Sequence, residues 1–486
     1  MSERRNILFI QTDSHDGRVM GCMGHPAMGR ATPNMDALAG GGVLFRTSYT
    51  NNPICCPSRS SMWSGRYTHH CEGWNNYKGL EPDTPTFRTR LDAAGYRTQT
   101  FGKTDYLSGA HTQRARVTAW TRSAGIMRPA YRMGPPRVLD ADEPRVHTAD
   151  WDDVDRTVAF LADAARRPEQ PFMCYLGIRA PHPGFTTSRL YLERIDADGV
   201  RLPPADEADH PCLAYQRVSK NWEHGFGEEM VRLLRSVYFG MVAEVDAMLG
   251  RVLGAVEELG LAESTCVIFT SDHGELAGEH RQFYKSNLYE PSVRVPLIVR
   301  GPGLRAGASV EGPVSLVDVY PTLMDVAGLP RPDGLDGESL MPALAGADGS
   351  RRDWAFSEYH DSSMNTGSFM LRRGDWKYIV YVGFPAQLFD LDEDPWEVRD
   401  LAGSRPDVVA AMDAALREVV DYEAVDARVK AYDRRSFGAW REEHRAAGDY
   451  ERLMARIHSG WDDLPDEKVR PWTAEDEAQI DRWLDA

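Results

Sequence analysis

Asn6-Ile7-Leu8-Phe9-Ile10-Gln11-Thr12-Asp13 reads as a short strand, apolar enough to be buried on both faces, that runs out onto a carboxylate. Three more segments repeat the arrangement. Residues 96–101, 172–177 and 266–270 have strand character, and they are followed by Lys103, by His182 and by the pair Asp272-His273. Helical patterns separate them: residues 86–94, stopped at Gly95, then residues 152–165, then a long amphipathic stretch over 228–259 closed by Gly260. The last of these carries Leu233, Val237, Met241, Val245 and Leu249 along one face. Strands alternating with helices predict an α/β fold with a mostly parallel central sheet flanked by helices. In such open sheets, ligands bind outside the carboxyl ends of the strands. Two carboxylates, a lysine and two histidines set just after strand ends therefore predict a single active site.

Further along, residues 329–342 are rich in Pro, Gly and Asp and read as a linker. Residues 354–360, 369–371, 376–382 and 387–391 then read as short strands joined by turns, a small antiparallel sheet, and residues 406–486 as mainly helical. The expected division is a catalytic domain over residues 1–345 and a smaller C-terminal subdomain over 346–486, which suits a chain of 486 residues. Composition is that of a globular protein, 42% hydrophobic and 27% charged. No apolar run approaches the roughly 20 residues that span a bilayer. Arg4-Arg5-Asn6 passes at once into Ile7-Leu8-Phe9-Ile10, too short for a secretory signal, so the expectation is a cytoplasmic chain or one whose export signal has been removed. Seven cysteines make no disulfide framework, and the odd number leaves at least one thiol free. A net charge of −17 argues against nucleic acid or an anionic membrane as partner.

Between the first two strands lies Cys55-Cys56-Pro57-Ser58-Arg59-Ser60-Ser61-Met62-Trp63-Ser64-Gly65-Arg66. Pro57 suits the first position of a helix, whose free amides and positive end would face Cys55 and favour an anionic group. This stretch resembles the Cys-x-Pro-Ser-Arg signature of the sulfatase family, including its closing Gly-Arg. The resemblance continues in order through the strand ending at Asp13, Gly102-Lys103, Pro181-His182-Pro183, Ser271-Asp272-His273-Gly274-Glu275 and Lys285. Gln387-Leu388-Phe389-Asp390 resembles the start of the family's C-terminal subdomain. The resemblance implies an alkaline phosphatase-like fold and hydrolysis of sulfate esters to alcohol and inorganic sulfate. It further implies that a formylglycine-generating enzyme converts Cys55 to formylglycine. One hydroxyl of the hydrated aldehyde would attack sulfur while a histidine protonates the leaving alcohol, and the other hydroxyl would then expel sulfate.

The resemblance also assigns roles. Asp13, Asp272, His273 and the oxidised Cys55 would hold Ca²⁺ or Mg²⁺, and oxygen-rich ligation suits either. Arg59, Lys103 and Lys285 would form a cationic clamp where charge develops. His182 matches the histidine near the leaving group, and His210, in Asp209-His210-Pro211, competes for that role. Two positions depart from the family pattern. Ser14 stands where many members carry a second aspartate, with Asp16 the nearest substitute, and Asp105 stands where many carry a histidine, leaving Asp105 or His111 as the base for sulfate release. Ile54-Cys55-Cys56, Trp74-Asn75-Asn76 and Glu279-His280-Arg281-Gln282-Phe283-Tyr284-Lys285 are similar to a branch of the family that acts on 2-sulfated glucuronate in glycosaminoglycans. Trp74, Asn75 and Asn76, with His360 and Asn365, are candidates to line a sugar pocket. The acidic background favours a small sulfated sugar, an aryl sulfate or a chain end over a long sulfated polymer. Two other readings stand beside this one: a phosphonate monoester or phosphodiester hydrolase on the same scaffold, and a sulfated-sugar binding protein in which Cys55 stays a thiol.

Overall fold

The computed structural model describes residues 5–109, 111–126, 135–140, 142–347, 351–460 and 464–486. Residues 1–4, which enter the reading of the amino terminus, and 461–463 of the expected helical tail lie outside that set. Seven strands form the central sheet: β1 (Asn6–Thr12), β2 (Val43–Phe45), β3 (Arg97–Gly102), β4 (Phe172–Gly177), β5 (Thr265–Ser271), β6 (Leu297–Arg300) and β7 (Ala308–Val310). Their order is β7-β2-β6-β5-β1-β4-β3. The run β5-β1-β4-β3 is parallel, and β6 is antiparallel to both its neighbours. The expected mostly parallel sheet is therefore present, with its four site-bearing strands side by side.

Ile7, Leu8, Phe9 and Ile10 are wholly buried because both faces of β1 are covered. Burying each contributes roughly 1.5–3 kcal/mol. The helices concerned are α1 (Cys55–Ser64), α2 (Phe87–Ala93), α3 (Thr148–Ala164), α4 (Pro211–Ser219), α5 (Glu228–Glu258) and α6 (Val319–Val326). Leu8 and Ile10 pack with Val154 and Leu161 of α3 and with Val237, Met241 and Val245 of α5. Ile7 and Phe9 pack with Met62 and Trp63 of α1, Phe87 of α2 and Leu323 of α6. Helix α5 is unbroken, but Leu233 is 40% exposed and Leu234 takes the inward place. A row of i+4 steps turns about 40° beyond a full turn each time, so five such residues cannot all stay on one face.

Helix α1 starts at Cys55, with Ile54 extended before it, so Pro57 is its third residue and not its first. The proline is still harmless there, because the first four amides of a helix have no acceptor within it. Two glycines let β3 and β4 end in contact. A Cβ on Gly102, whose φ is +73°, would lie 2.1 Å from the Gly177 carbonyl oxygen, and one on Gly177 would lie 1.9 Å from that of Lys103.

A separate antiparallel sheet follows: β8 (Trp354–Tyr359), β9 (Ser368–Arg373), β10 (Trp376–Tyr381) and β11 (Gln387–Asp390), in sequence order. It is fastened to the segment before α1, where the Asn51 carbonyl accepts from the Glu358 amide (3.0 Å) and Asn51 Nδ2 donates to the Phe356 carbonyl (2.9 Å). The Pro- and Gly-rich stretch before it is also tied down, since Asp336 accepts from the Tyr67 amide at 2.7 Å. The helical tail returns to the first half of the chain: Phe437, Trp440 and Trp483 pack on Val117 and Trp120. All seven cysteines are free. Among the described residues, no helix is long and apolar enough to cross a membrane.

Candidate active site

The register of the sheet builds the site. Thr12 pairs with Ser271, so β1 and β5 deliver Asp13 and Asp272 side by side, and Gly102 pairs with Gly177 before Lys103 leaves β3. The first residue of α1 meets them. Ligand atoms of Asp13, Cys55, Asp272 and His273 all lie within 4.8 Å of one another, and all four residues are buried. Cys55 Sγ is 3.3 Å from His273 Nε2 and 3.9 Å from Asp13 Oδ1. His273 Nδ1 lies 3.0 Å from the Gly274 carbonyl oxygen and donates to it, which turns Nε2 toward the carboxylates.

Arg59 sits one turn after Cys55, on the same face of α1. Its Nε donates to Asp272 Oδ2 (2.8 Å), one terminal nitrogen donates to the Lys103 carbonyl and the Tyr175 hydroxyl (2.9 Å each), and the other is 3.7 Å from Asp13 Oδ2. Lys103 Nζ lies 2.5 Å from Asp13 Oδ2 and 3.2 Å from Asp105 Oδ2. Lys285 is 7% exposed and, among the described residues, has no ion-pair partner. Its loop is held to the segment before α1 by the Ser286 amide, which donates to the Pro53 carbonyl at 3.3 Å.

The electrostatics follow from this crowding. Burial alone would raise the Asp13 carboxyl, but Lys103, His182, His273 and Lys285 together hold it well below the usual carboxylate range. Burial also pushes Asp272 up, and Arg59 offsets this only in part. At Cys55, burial and Asp13 work against ionisation, yet Lys103, Lys285 and His273 outweigh them and hold the thiol well below its ordinary value. Position 55 is thus a place where negative charge is stabilised, as an attacking oxygen requires.

The residues fit a divalent cation. Two carboxylates and an imidazole are hard donors gathered in a dry site, and Asp13 Oδ2 makes no hydrogen bond of acceptable angle despite the nearby Lys103. Ser14 does not replace a ligand. Its hydroxyl donates to Asp13 Oδ1 (3.2 Å) and its amide to Asp272 Oδ1 (3.3 Å), so it orients both carboxylates. Asp16 is turned away and paired with Arg18 at 2.7 Å.

An open cavity of about 400 Å³ leads in, lined by Asp13, Lys103, Thr104, Asp105, Arg179 and His182. His182 Nδ1 is 2.5 Å from the Pro183 carbonyl oxygen, leaving Nε2 for a substrate. Asp105 Oδ2 is also 3.2 Å from His111 Nε2, so both candidates for the second base lie beside Lys103.

His210 is not brought to this cavity. Its Nδ1 accepts from the Cys212 amide as the cap of α4, its Nε2 donates to the Pro385 carbonyl (2.8 Å), and its ring stacks on Tyr381. A histidine directly before a proline at the first helical position is a capping pattern, and that signal was present in the sequence. The expected sugar-pocket residues also have other work. Trp74 is buried beneath the C-terminal sheet, edge-on to His360, whose Nε2 is 2.9 Å from Glu358. Asn75 closes a turn by accepting from the Tyr77 and Lys78 amides. Asn76 accepts from the Cys56 amide and donates its own amide to Asp361, so it braces α1. Asn365 lines a different cavity, with Thr366 and Lys430. Tyr175, which orients Arg59, was missed because a tyrosine inside a buried strand carries no polar signature.

Over residues 5–329 the chain matches the sulfatase family, and over residues 278–421 it matches the C-terminal part of N-sulphoglucosamine sulphohydrolase. The chain belongs to the sulfatase family and is a sulfuric ester hydrolase. It is similar throughout to arylsulfatase K: 38% identical over 512 residues to that of Bos taurus and 38% over 508 residues to that of Homo sapiens. Each alignment covers 99% of this chain and 92% of the relative. Arylsulfatase K of Danio rerio is 39% identical over 506 residues, covering 99% of this chain and 95% of that protein. Two solved structures share the fold. A phosphonate monoester hydrolase of Agrobacterium radiobacter has a TM-score of 0.70 at 24% identity, covering 88% of this chain and 96% of its own. A 2-O GAG sulfatase has a TM-score of 0.68 at 24% identity, covering 88% and 94%. The alkaline phosphatase-like α/β fold expected from the sequence is the fold observed.

Proposed function

We propose that Cys55 is the precursor of a formylglycine made by a formylglycine-generating enzyme. On this reading Asp13, Asp272, His273 and the oxidised residue 55 hold Ca²⁺, with Mg²⁺ the alternative, and the substrate is a small 2-sulfated uronate. The carrying observation is the meeting of Cys55 with two carboxylates, a histidine, Arg59 and Lys103 in one dry cluster. The Cys55 Sγ marks the place of the hydrate oxygen. When present, the hydrated aldehyde supplies the attacking and the sulfate-expelling hydroxyls, and the cation neutralises sulfate oxygens.

The chain's own residues do the rest. Arg59 fixes Asp272 and balances its charge, so the carboxylate holds one orientation. Lys103 and Lys285 face the charge that builds on the transferring group, in a site dry enough to make them effective. His182 gives its Nε2 proton to the leaving alcohol at the cavity mouth. Arg59, Lys103 and Lys285 balance Asp13, Asp272 and Asp105, so a bound divalent cation would leave the site attractive to an anion within an acidic chain. A cavity of about 400 Å³ suits a single sugar or a chain end better than a long polymer.

Sulfate release from 2-sulfated glucuronate, 2-sulfated iduronate, an aryl sulfate and an aryl phosphonate tests the substrate. Activity confined to the aryl esters removes the uronate. Mass spectrometry of the peptide across Cys55 tests the nucleophile, and an unaltered cysteine in fully active protein would sink it.

A further inference from the structure

Beside Lys285 stands a second lysine that the catalytic scheme does not use. Lys220 follows the last turn of α4, is partly exposed, and donates from Nζ to the Lys285 carbonyl oxygen at 3.0 Å. The neighbouring residue on the same turn system, Gln216, donates to the Ser286 carbonyl (2.7 Å), so the end of α4 is fastened to the loop that carries Lys285. The Lys220 ammonium lies 5.0 Å from the centre of the Trp222 ring, and Trp222 in turn lies 5.3 Å from Tyr284. Among the described residues, neither Lys220 nor Lys285 has a carboxylate within ion-pair distance. The acids that act on Lys220 from further off are Glu275 and Asp361, and Lys285 repels it. Burial and that repulsion bring its pKa down to about 7.

Two neighbouring ammonium groups without counter-charges, one buried and one half-buried, are costly in a chain that has 73 acidic residues with which to neutralise them. An anion arriving with the substrate would supply the missing charge. In the proposed binding mode a sulfate ester takes the Lys103–Lys285 end, so the second cation calls for a second anionic group on the same molecule. In a 2-sulfated hexuronate, the sulfated carbon and the carbon bearing the carboxylate face each other across the ring. One dianion can thus set its sulfate against Lys103 and Lys285 and its carboxylate against Lys220.

We infer that Lys220 is a specificity-determining residue, whose ammonium receives a carboxylate carried by the sulfated substrate. The inference rests on the reading of the substrate as a sulfated uronate, but it can be tested without turnover. Calorimetry in the presence of Ca²⁺ compares 4-sulfobenzoate, which holds a sulfonate and a carboxylate across a ring, with 4-methylbenzenesulfonate and 4-carbamoylbenzenesulfonate. The unaltered protein should bind the dianion at least about tenfold tighter than either monoanion, the scale of one charge-assisted hydrogen bond. Lys220→Gln should erase that preference and Lys220→Arg should keep it. Equal affinity for the three ligands in the unaltered protein overturns the inference, whether or not the glutamine variant folds. So does a preference that survives in Lys220→Gln. Failure to release sulfate from 2-sulfated glucuronate, with the dianion preference intact and dependent on Lys220, would instead remove only the uronate and leave a carboxylated sulfate ester of another kind.

Discussion

Arg59 Nε lies 2.8 Å from Asp272 Oδ2, with both side chains fully buried. The pair joins α1, which carries Cys55, to the end of β5, which carries Asp272, so the proposed nucleophile and the proposed cation site are one mechanical unit. The same guanidinium reaches the Lys103 carbonyl, and through it the end of β3. Removing it should be felt in folding as well as in catalysis.

Arg59→Ala leaves Asp272 without its guanidinium partner, and breaking a buried pair of this kind costs about 3–5 kcal/mol. Denaturant unfolding should show that loss together with abolished sulfate release. Arg59→Lys should recover part of the stability and little of the activity, since an ammonium cannot make the same set of directed bonds.

Chelation should inactivate the enzyme and lower its melting temperature, because Asp13 and Asp272 then face each other with less compensation. Adding back Ca²⁺ or Mg²⁺ should restore both, and the more effective ion identifies the native one. Asp13→Asn should bind the cation at least about tenfold more weakly, a scale known for altered metal surroundings.

His15 tests the acid limit of stability. Burial pushes its pKa down from the ordinary histidine value to about 4, with partial compensation from the Val19 carbonyl and Asp16. The folded-state value is depressed, so the unfolded chain takes up the proton first. Stability is then fully present above about pH 6.5 and is lost as pH falls toward 4, on the order of 3 kcal/mol in all. His15→Gln should flatten this part of the stability profile, measured by unfolding at a series of pH values.

Gly102→Ala and Gly177→Ala each put a methyl group onto a backbone oxygen, at 2.1 and 1.9 Å respectively. Either should destabilise the protein by about 2 kcal/mol through forced displacement. Lys103 moves with the displaced strand end, so kcat should fall by at least about tenfold, as misplacement by an ångström does. Unchanged kinetics in a folded variant would mean that Lys103 is not positioned by this contact.

His182 and His210 should separate cleanly. His182→Ala should slow hydrolysis of an alkyl sulfate by about a hundredfold or more, and of an aryl sulfate with a good leaving group much less. His210→Ala removes a helix cap and should cost about 1 kcal/mol in unfolding while leaving both rates in place.

How much of this was legible in the sequence depends on the kind of signal. The parallel sheet could be read because β1, β4 and β5 are buried on both faces and appear as largely apolar runs, as Ile7 to Ile10 do, although the edge strand β3 is mostly polar. The cluster could be read because its members follow strand ends, where the fold puts ligands. What failed was proximity between residues far apart in sequence. Trp74 and His360 did come together, but beneath the second sheet and not at the cavity. His210 carried both a catalytic resemblance and a capping pattern, and local backbone chemistry won. Lys220 and Tyr175 had no local mark at all, since their importance lies in the Lys285 loop and in Arg59 respectively.

Every residue of α1 is buried, Cys55 among them, and the C-terminal sheet is laced to the stretch just before it. On the proposed reading, the enzyme that oxidises this thiol cannot reach it once the protein has closed. Maturation then has a deadline set by folding: the segment is to be visited while the chain is still open, and molecules that fold first would stay unactivated.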